Sequence, residues 1–235
     1  MESTYYLCID LKSFYASVEC VERGLDPFKA NLVVADPARG RGAICLAVSP
    51  ALKALGVRNR CRIFEIPSHI SYITAVPRMK LYMDYSAGIY NSYLEYLSSQ
   101  DIHVYSIDEC FIYLSPYLLL YKMTPKALVK LLVQRILEKF GICATAGIGS
   151  NMFLAKVALD ILAKHQPDNM AFLDEALFKE KMWHHRPLTD FWNIGRGTAQ
   201  RLARKGIYDL YGVAHCEPQR LYREFGINAE YLIDH

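Results

Sequence analysis

Apolar residues fall in short dense runs and in longer runs at helical spacing, with breaks at glycine, proline and serine. Thr4 to Leu11 is β-branched and aromatic and predicts a buried strand ending at Asp10. Ser13 can cap a helix running to about Arg23, where Gly24 stops it. Asn31 to Ala35 and Ala43 to Val48 predict two more strands around a loop holding Pro37, Gly40 and Gly42. Ser49-Pro50 opens a short helix that ends at Gly56. Arg78 to Gln100 predicts a long helix, and Asp101 to Leu114 a hairpin whose turn contains Asp108 and Glu109. Thr124-Pro125 opens a helix to Phe140, Ile142 to Ile148 is a strand, and a helix follows through Lys164. This order predicts an α+β fold, a mixed sheet with helices packed on one side. Pro167 to Asn169 reads as a boundary, with short helices and no strand pair beyond it.

Composition narrows the class. A chain of 235 residues, 52% hydrophobic and 22% charged, is neither disordered, collagen-like nor a coiled coil. No apolar run approaches the roughly 18–20 residues that span a bilayer. Met1 to Asp10 lacks the basic start of a secretory signal. The seven cysteines are scattered, odd in number and never spaced C-x-x-C, which favours free thiols in a reducing cytoplasm over a disulfide framework or zinc site.

The net charge of +3 hides its distribution. Between Asp36 and Glu65, six basic side chains face two acids; between Phe191 and Tyr208, four face none. Each segment carries +4, leaving −5 on the remainder. Two basic segments on an acidic background suggest two contacts with a polyanion, although solvated faces give the same pattern.

Three acids stand apart. Asp10 ends an apolar strand, where an unpaired charge is costly. Asp108 and Glu109 are adjacent at a turn, the one place where consecutive side chains can converge. If the two strands are neighbours, three carboxylates meet at one sheet edge, and hard oxygen ligands of this kind suit Mg²⁺. An exposed hairpin pair plus a helix-capping Asp is the equally open alternative.

Four segments carry a resemblance. C-I-D-L-K-S-F-Y-A-S-V-E (Cys8 to Glu19), Y-S-I-D-E-C-F (Tyr105 to Phe111), T-A-G-I-G-S-N-M-F-L-A-K (Thr145 to Lys156) and A-L-K-A-L-G-V (Ala51 to Val57) resemble motifs of the Y-family, or translesion, DNA polymerases, UmuC-type branch. The resemblance implies a palm (residues 1–30 and 77–166), small fingers (31–76) and an all-α thumb (167–235). It implies template-directed, error-prone addition of deoxynucleoside triphosphates to a primer–template. Asp10, Asp108 and Glu109, with the Leu11 carbonyl, would hold two Mg²⁺, with Mn²⁺ as an alternative. Phe14 and Tyr15 would meet the nucleotide, Tyr15 as a gate against a 2′-hydroxyl, with a core aromatic on the first helix as the alternative to the gate. Lys53 and Lys156 would meet the triphosphate as point charges. The chain departs from the family in carrying Ser49-Pro50 where a fingers Tyr is common, and Asn151-Met152 where Asn-Lys is common.

Phe191 to Ile207 has the look of a helix–hairpin–helix, and resembles the same family's thumb. Gly195 and Gly197 would let a phosphate approach, Thr198 would cap the next helix, and Arg196, Arg201 and Arg204 would supply charge without base readout. A small glycine-punctuated bundle remains the alternative. The family's little-finger domain has no match in this chain. The resemblance further implies a cytoplasmic protein of bacterial, phage or plasmid origin, with a sliding clamp or accessory SOS proteins as further partners. Two competing expectations are a DNA-binding paralogue with little catalysis and a nucleotide cyclase with a similar sheet.

Overall fold

The computed structural model describes residues 4–234. The first apolar run forms β1 (Tyr6–Leu11), with Leu7, Cys8, Ile9 and Leu11 buried. A tight turn then leads into α1 (Phe14–Val21). The expected Ser13 cap does not form. Ser13 lies in the left-handed region at φ 50°, whereas a capping side chain works from extended backbone, and it makes no capping bond. Gly24, at φ 66°, follows the end of α1 as its stop signal predicts.

A small sheet comes next, built from β2 (Leu32–Val34), β3 (Ala47–Val48) and β4 (Ile73–Ala75) in the order β3-β2-β4. β2 runs antiparallel to β3 and parallel to β4. The strand expected from Ala43 is shorter, and Ile44 instead forms an isolated bridge to Arg62. Ser49 ties this sheet to α2 (Pro50–Ala54). Its hydroxyl accepts from the N–H of Leu52 at 3.3 Å and of Leu32 at 3.1 Å, and donates to the Ala30 carbonyl at 2.8 Å. Val33, Cys45, Val48, Leu52 and Ile66 form the core beneath.

The helix α3 (Met79–Leu94) ends before the expected Gln100, because the Ser98 hydroxyl accepts from the Gln100 N–H and starts a separate 3₁₀ turn. β5 (Ile102–Val104) and β6 (Glu109–Tyr113) form the expected hairpin, but of the two acids only Asp108 lies in its turn, Glu109 being already the first residue of β6. The sequence reading assigned no element to α4 (Ser115–Tyr121), whereas α5 (Pro125–Phe140) keeps its expected bounds. β7 (Ala144–Gly149) leads into α6 (Met152–Val157), which Asn151 caps by accepting from the Leu154 N–H at 2.8 Å. A π-helical turn, Ala158–Leu162, continues it.

Strands of the large sheet lie in the order β5-β6-β1-β7-β8, which makes the fold mixed α/β. Its last member, β8 (Met170–Leu173), runs parallel to β7 with Ala146 opposite Met170. No strand was expected beyond Pro167; this one depends on a partner more than 20 residues upstream. Then follow α7 (Glu175–Lys181), α8 (Arg196–Ala203), α9 (Leu210–Ala214), α10 (Pro218–Phe225) and α11 (Glu230–Ile233). They close on a core that includes Phe178, Phe191, Leu202, Leu221 and Leu232. The chain divides into two compact units, one of residues 1–8, 111–126 and 146–235, the other of residues 9–110 and 127–145. Among the described residues, no helix is long and apolar enough to cross a membrane.

The glycines of β7 allow α6 its close approach. A Cβ on Gly147 would lie 2.1 Å from the Ala155 carbonyl oxygen, and one on Gly149 would lie 2.3 Å from the Ala155 amide nitrogen. Both obstacles are backbone, which cannot swing aside. Gly149→Ala should therefore cost about 2–3 kcal/mol or more in urea unfolding. Gly42→Ala, where a Cβ meets open space, should change little by the same measurement.

Candidate active site

The three acids share one compact unit. Asp10 lies at the penultimate position of β1, Asp108 in the turn between β5 and β6, and Glu109 at the first position of β6. Backbone bonds fix the turn. The N–H groups of Tyr105 and Ser106 each donate to the Glu109 carbonyl at 3.0 Å, and the Ser86 hydroxyl of α3 donates to the Ile107 carbonyl at 2.6 Å. The Leu11 N–H donates to the Asp108 carbonyl at 2.9 Å, which sets the end of β1 beside the turn. Asp10, Leu11, Asp108 and Glu109 are thereby brought to one edge.

Each acid is only half-buried, as a carboxylate that meets a solvated ligand should be. The Ser106 hydroxyl donates to Asp108 Oδ1 at 2.8 Å, orienting that side chain. Among the described residues, no three His, Cys, Asp or Glu side chains are gathered closely enough to hold a metal ion. The donor set nevertheless fits a hard divalent cation, being all oxygen and ordered by backbone and serine bonds.

Tyr15 lies in the same unit, one helical step beyond the buried Phe14. Burial and then the Asp108 charge push its phenol above the usual tyrosine range. The ring stacks on Tyr82 of α3, with centroids 4.4 Å apart and planes 14° apart. Lys53 is exposed on α2. Lys156 belongs to the other unit, where it is buried and its Nζ lies 3.0 Å from Asp160 Oδ2 on the same helical stretch.

Residues 9–160 match the model of the impB/mucB/samB family. The chain belongs to that family. This is the Y-family, UmuC-type group that the four sequence segments resemble. It is 35% identical over 97% of its length to UvrX of Bacillus subtilis (strain 168), named for UV-damage repair, covering 54% of that protein. It is 32% identical over 99% of its length to DNA polymerase IV 2 of the same organism, covering 55%. The chain thus spans about half the length of these relatives. Its fold is shared with a structure described as an insertion ternary complex of Dbh DNA polymerase, at TM-score 0.82, 24% identity, and coverage of 98% of this chain and 66% of that one.

For this Y-family chain the C-terminal segment needs a finer reading. α8 begins at Arg196 with Gly195 at the cap position, so Thr198 lies inside the first turn and does not cap it. Gly195, Arg196, Gly197 and Arg204 are exposed. Arg201 is already engaged, donating to Glu224 of α10 at 2.8 Å and lying 4.4 Å over the Phe225 ring. Lys205 reaches the other oxygen of Glu224 at 2.8 Å. Lys205 and Arg201 together hold the Glu224 carboxyl down, to about 2. Half of the basic charge in this segment therefore meets an acid from the next helices.

A group the sequence reading left aside lies next to Tyr15. Glu19 of α1 has no side-chain exposure. Its Oε1 accepts from Arg78 Nε at 2.9 Å and from the Tyr82 hydroxyl at 2.8 Å; its Oε2 accepts from Arg78 at 2.8 Å and from Arg23. The available signal was an acid within the apolar stretch Ala16 to Cys20, since buried acids are almost always paired. Burial alone would push the Glu19 carboxyl up, but Arg78, Arg23 and Tyr82 more than offset it and hold it below the usual range.

A carboxyl depressed in the folded state stabilises the fold above its unfolded pKa, and that contribution fades as pH falls through the folded value. Glu19→Gln should thus cost about 1–3 kcal/mol at pH 7. Urea unfolding across pH should show the gap to wild type narrowing once pH drops below the ordinary glutamate range. A gap independent of pH would contradict an ionised Glu19.

Proposed function

We propose that this chain is the core of a template-directed, error-prone DNA polymerase that extends primers past damaged bases. The observation that supports this reading is the Leu11 to Asp108 backbone bond, which joins the end of β1 to the turn that holds Asp108, with Tyr15 near enough to feel the Asp108 charge. In this reading residues 1–30 and 77–166 form the palm, 31–76 the fingers and 167–235 the thumb, whose first strand, β8, pairs with β7 of the palm.

Asp10, Asp108, Glu109 and the Leu11 carbonyl would hold two divalent cations, Mg²⁺ or Mn²⁺, whose bound charge supplies Lewis acidity at the phosphates. The primer 3′-hydroxyl gives up its proton to solvent as its oxygen attacks the α-phosphorus of a deoxynucleoside triphosphate, the bond to the bridging oxygen breaks, and pyrophosphate leaves. Ser106 keeps the Asp108 carboxylate oriented during this exchange. Tyr15 presents a flat ring where the sugar would rest, excluding a 2′-hydroxyl. Lys53 and Lys156 would add positive charge near the triphosphate. Phe14, buried at the start of the same helix, would act through packing.

In the thumb, Gly195, Arg196, Gly197, Thr198 and Arg204 would meet the DNA backbone, a contact that positions without reading sequence. Arg201 would contribute mainly by tying α8 to α10. The seven free cysteines fit a reducing, cytoplasmic compartment.

Primer extension with Mg²⁺ tests the reading. Asp108→Ala should lower extension by about three orders of magnitude, through loss of several kcal/mol of charge stabilisation. Tyr15→Ala should extend with ribonucleotides that the wild type rejects. Undiminished extension by Asp108→Ala would remove the metal assignment, and with it this function.

A further inference from the structure

We propose that Glu19 is a positioning residue for sugar selection: clamped by Arg78 and Arg23, it pins Tyr82 as a fixed platform against Tyr15. The inference rests on the reading of Tyr15 as the sugar gate. All five residues belong to one compact unit.

The arrangement joins two helices at two levels. On α1, Tyr15 and Glu19 are four residues apart and so share a face; on α3, Tyr82 lies four residues beyond Arg78 at the cap position. The upper level is the Tyr15–Tyr82 stack, at 4.4 Å and 14°. The lower level is the fork of Arg78 on both oxygens of Glu19, at 2.9 and 2.8 Å. The Tyr82 hydroxyl, 2.8 Å from Glu19 Oε1, links them.

Such a cluster is a poor device for stability alone. Burying a carboxylate forfeits its hydration, and apolar residues of similar volume often serve a fold equally well. What a bidentate pair adds is fixed geometry. A gate has to resist being pushed aside by one extra oxygen atom, and displacements near 1 Å at such sites have large kinetic effects. Tyr15 is half-buried and its ring stacks on Tyr82, so its resistance depends on how firmly that second ring is held. Tyr82 is fully buried, and its hydroxyl is anchored to a buried carboxylate that Arg78 and Arg23 also hold.

The test compares wild type, Tyr15→Ala, Tyr82→Phe, Glu19→Gln and Arg78→Lys by kcat/KM for a deoxynucleotide and the matching ribonucleotide. Tyr82→Phe keeps the ring and removes only the anchor. It should lower the deoxy-to-ribo ratio about tenfold, mainly by raising ribonucleotide insertion. Glu19→Gln should act in the same direction, and Arg78→Lys, which keeps charge but loses the fork, should fall between it and wild type. A purely structural role would lower both substrates in parallel, and an unchanged ratio in Tyr82→Phe would overturn the proposal. If Tyr15→Ala itself leaves the ratio unchanged, the gate reading fails and takes this inference with it. A second readout needs no turnover: the ¹⁹F resonance of 3-fluorotyrosine placed at position 15. It should shift or split in Glu19→Gln, and an unmoved resonance would overturn the clamp even where no extension is measurable.

Discussion

One main-chain hydrogen bond, from the Leu11 N–H to the Asp108 carbonyl, sets the geometry on which the candidate centre depends. It fixes the end of β1 against the turn before β6. A slip of one residue in that pairing would send Asp10 to the opposite face of the sheet from its present neighbours. The surrounding bonds make the register hard to lose: Ser86 holds the Ile107 carbonyl, the Lys12 N–H donates to Cys143, and the Ser17 hydroxyl closes on the Lys12 carbonyl. The backbone thus fixes the chain positions of Asp10, Asp108 and Glu109 relative to one another.

The second constraint is aromatic. Tyr15 answers to two neighbours of different character, the Asp108 charge on one hand and the Tyr82 ring on the other. The buried Glu19 cluster couples α1 to α3 through charge, and the Ser86 hydroxyl couples α3 to the acidic turn. Helix α3 therefore supports both the acids and the aromatic ring, although it contributes none of the residues proposed to touch substrate.

Much of this was legible from local signals. Asp10, Asp108 and Glu109 stood out because acids interrupt apolar strands, and α5 was bounded by Pro125 and Gly141. What was illegible depended on distant partners. β8 exists because Met170 to Leu173 pairs with β7, and four residues carry too little periodicity to declare it. The partners of Glu19 were illegible because Arg78 and Tyr82 lie 59 and 63 positions away. Thr198 and Ser13 were misjudged as caps because cap chemistry is plain in sequence, while the backbone conformation that permits it is not. The basic segment from Phe191 to Tyr208 was overstated for a related reason: Glu224, which engages Arg201 and Lys205, lies outside it.

The central claim is that Asp10, Asp108 and Glu109 form a divalent-cation site, and metal binding tests it without requiring turnover. Titrating the chain with Mn²⁺ and following loss of the free-ion EPR signal should show about two ions bound per chain. Asp108→Ala, checked for intact folding by circular dichroism, should lose that binding. Equal Mn²⁺ uptake by wild type and Asp108→Ala would contradict the account.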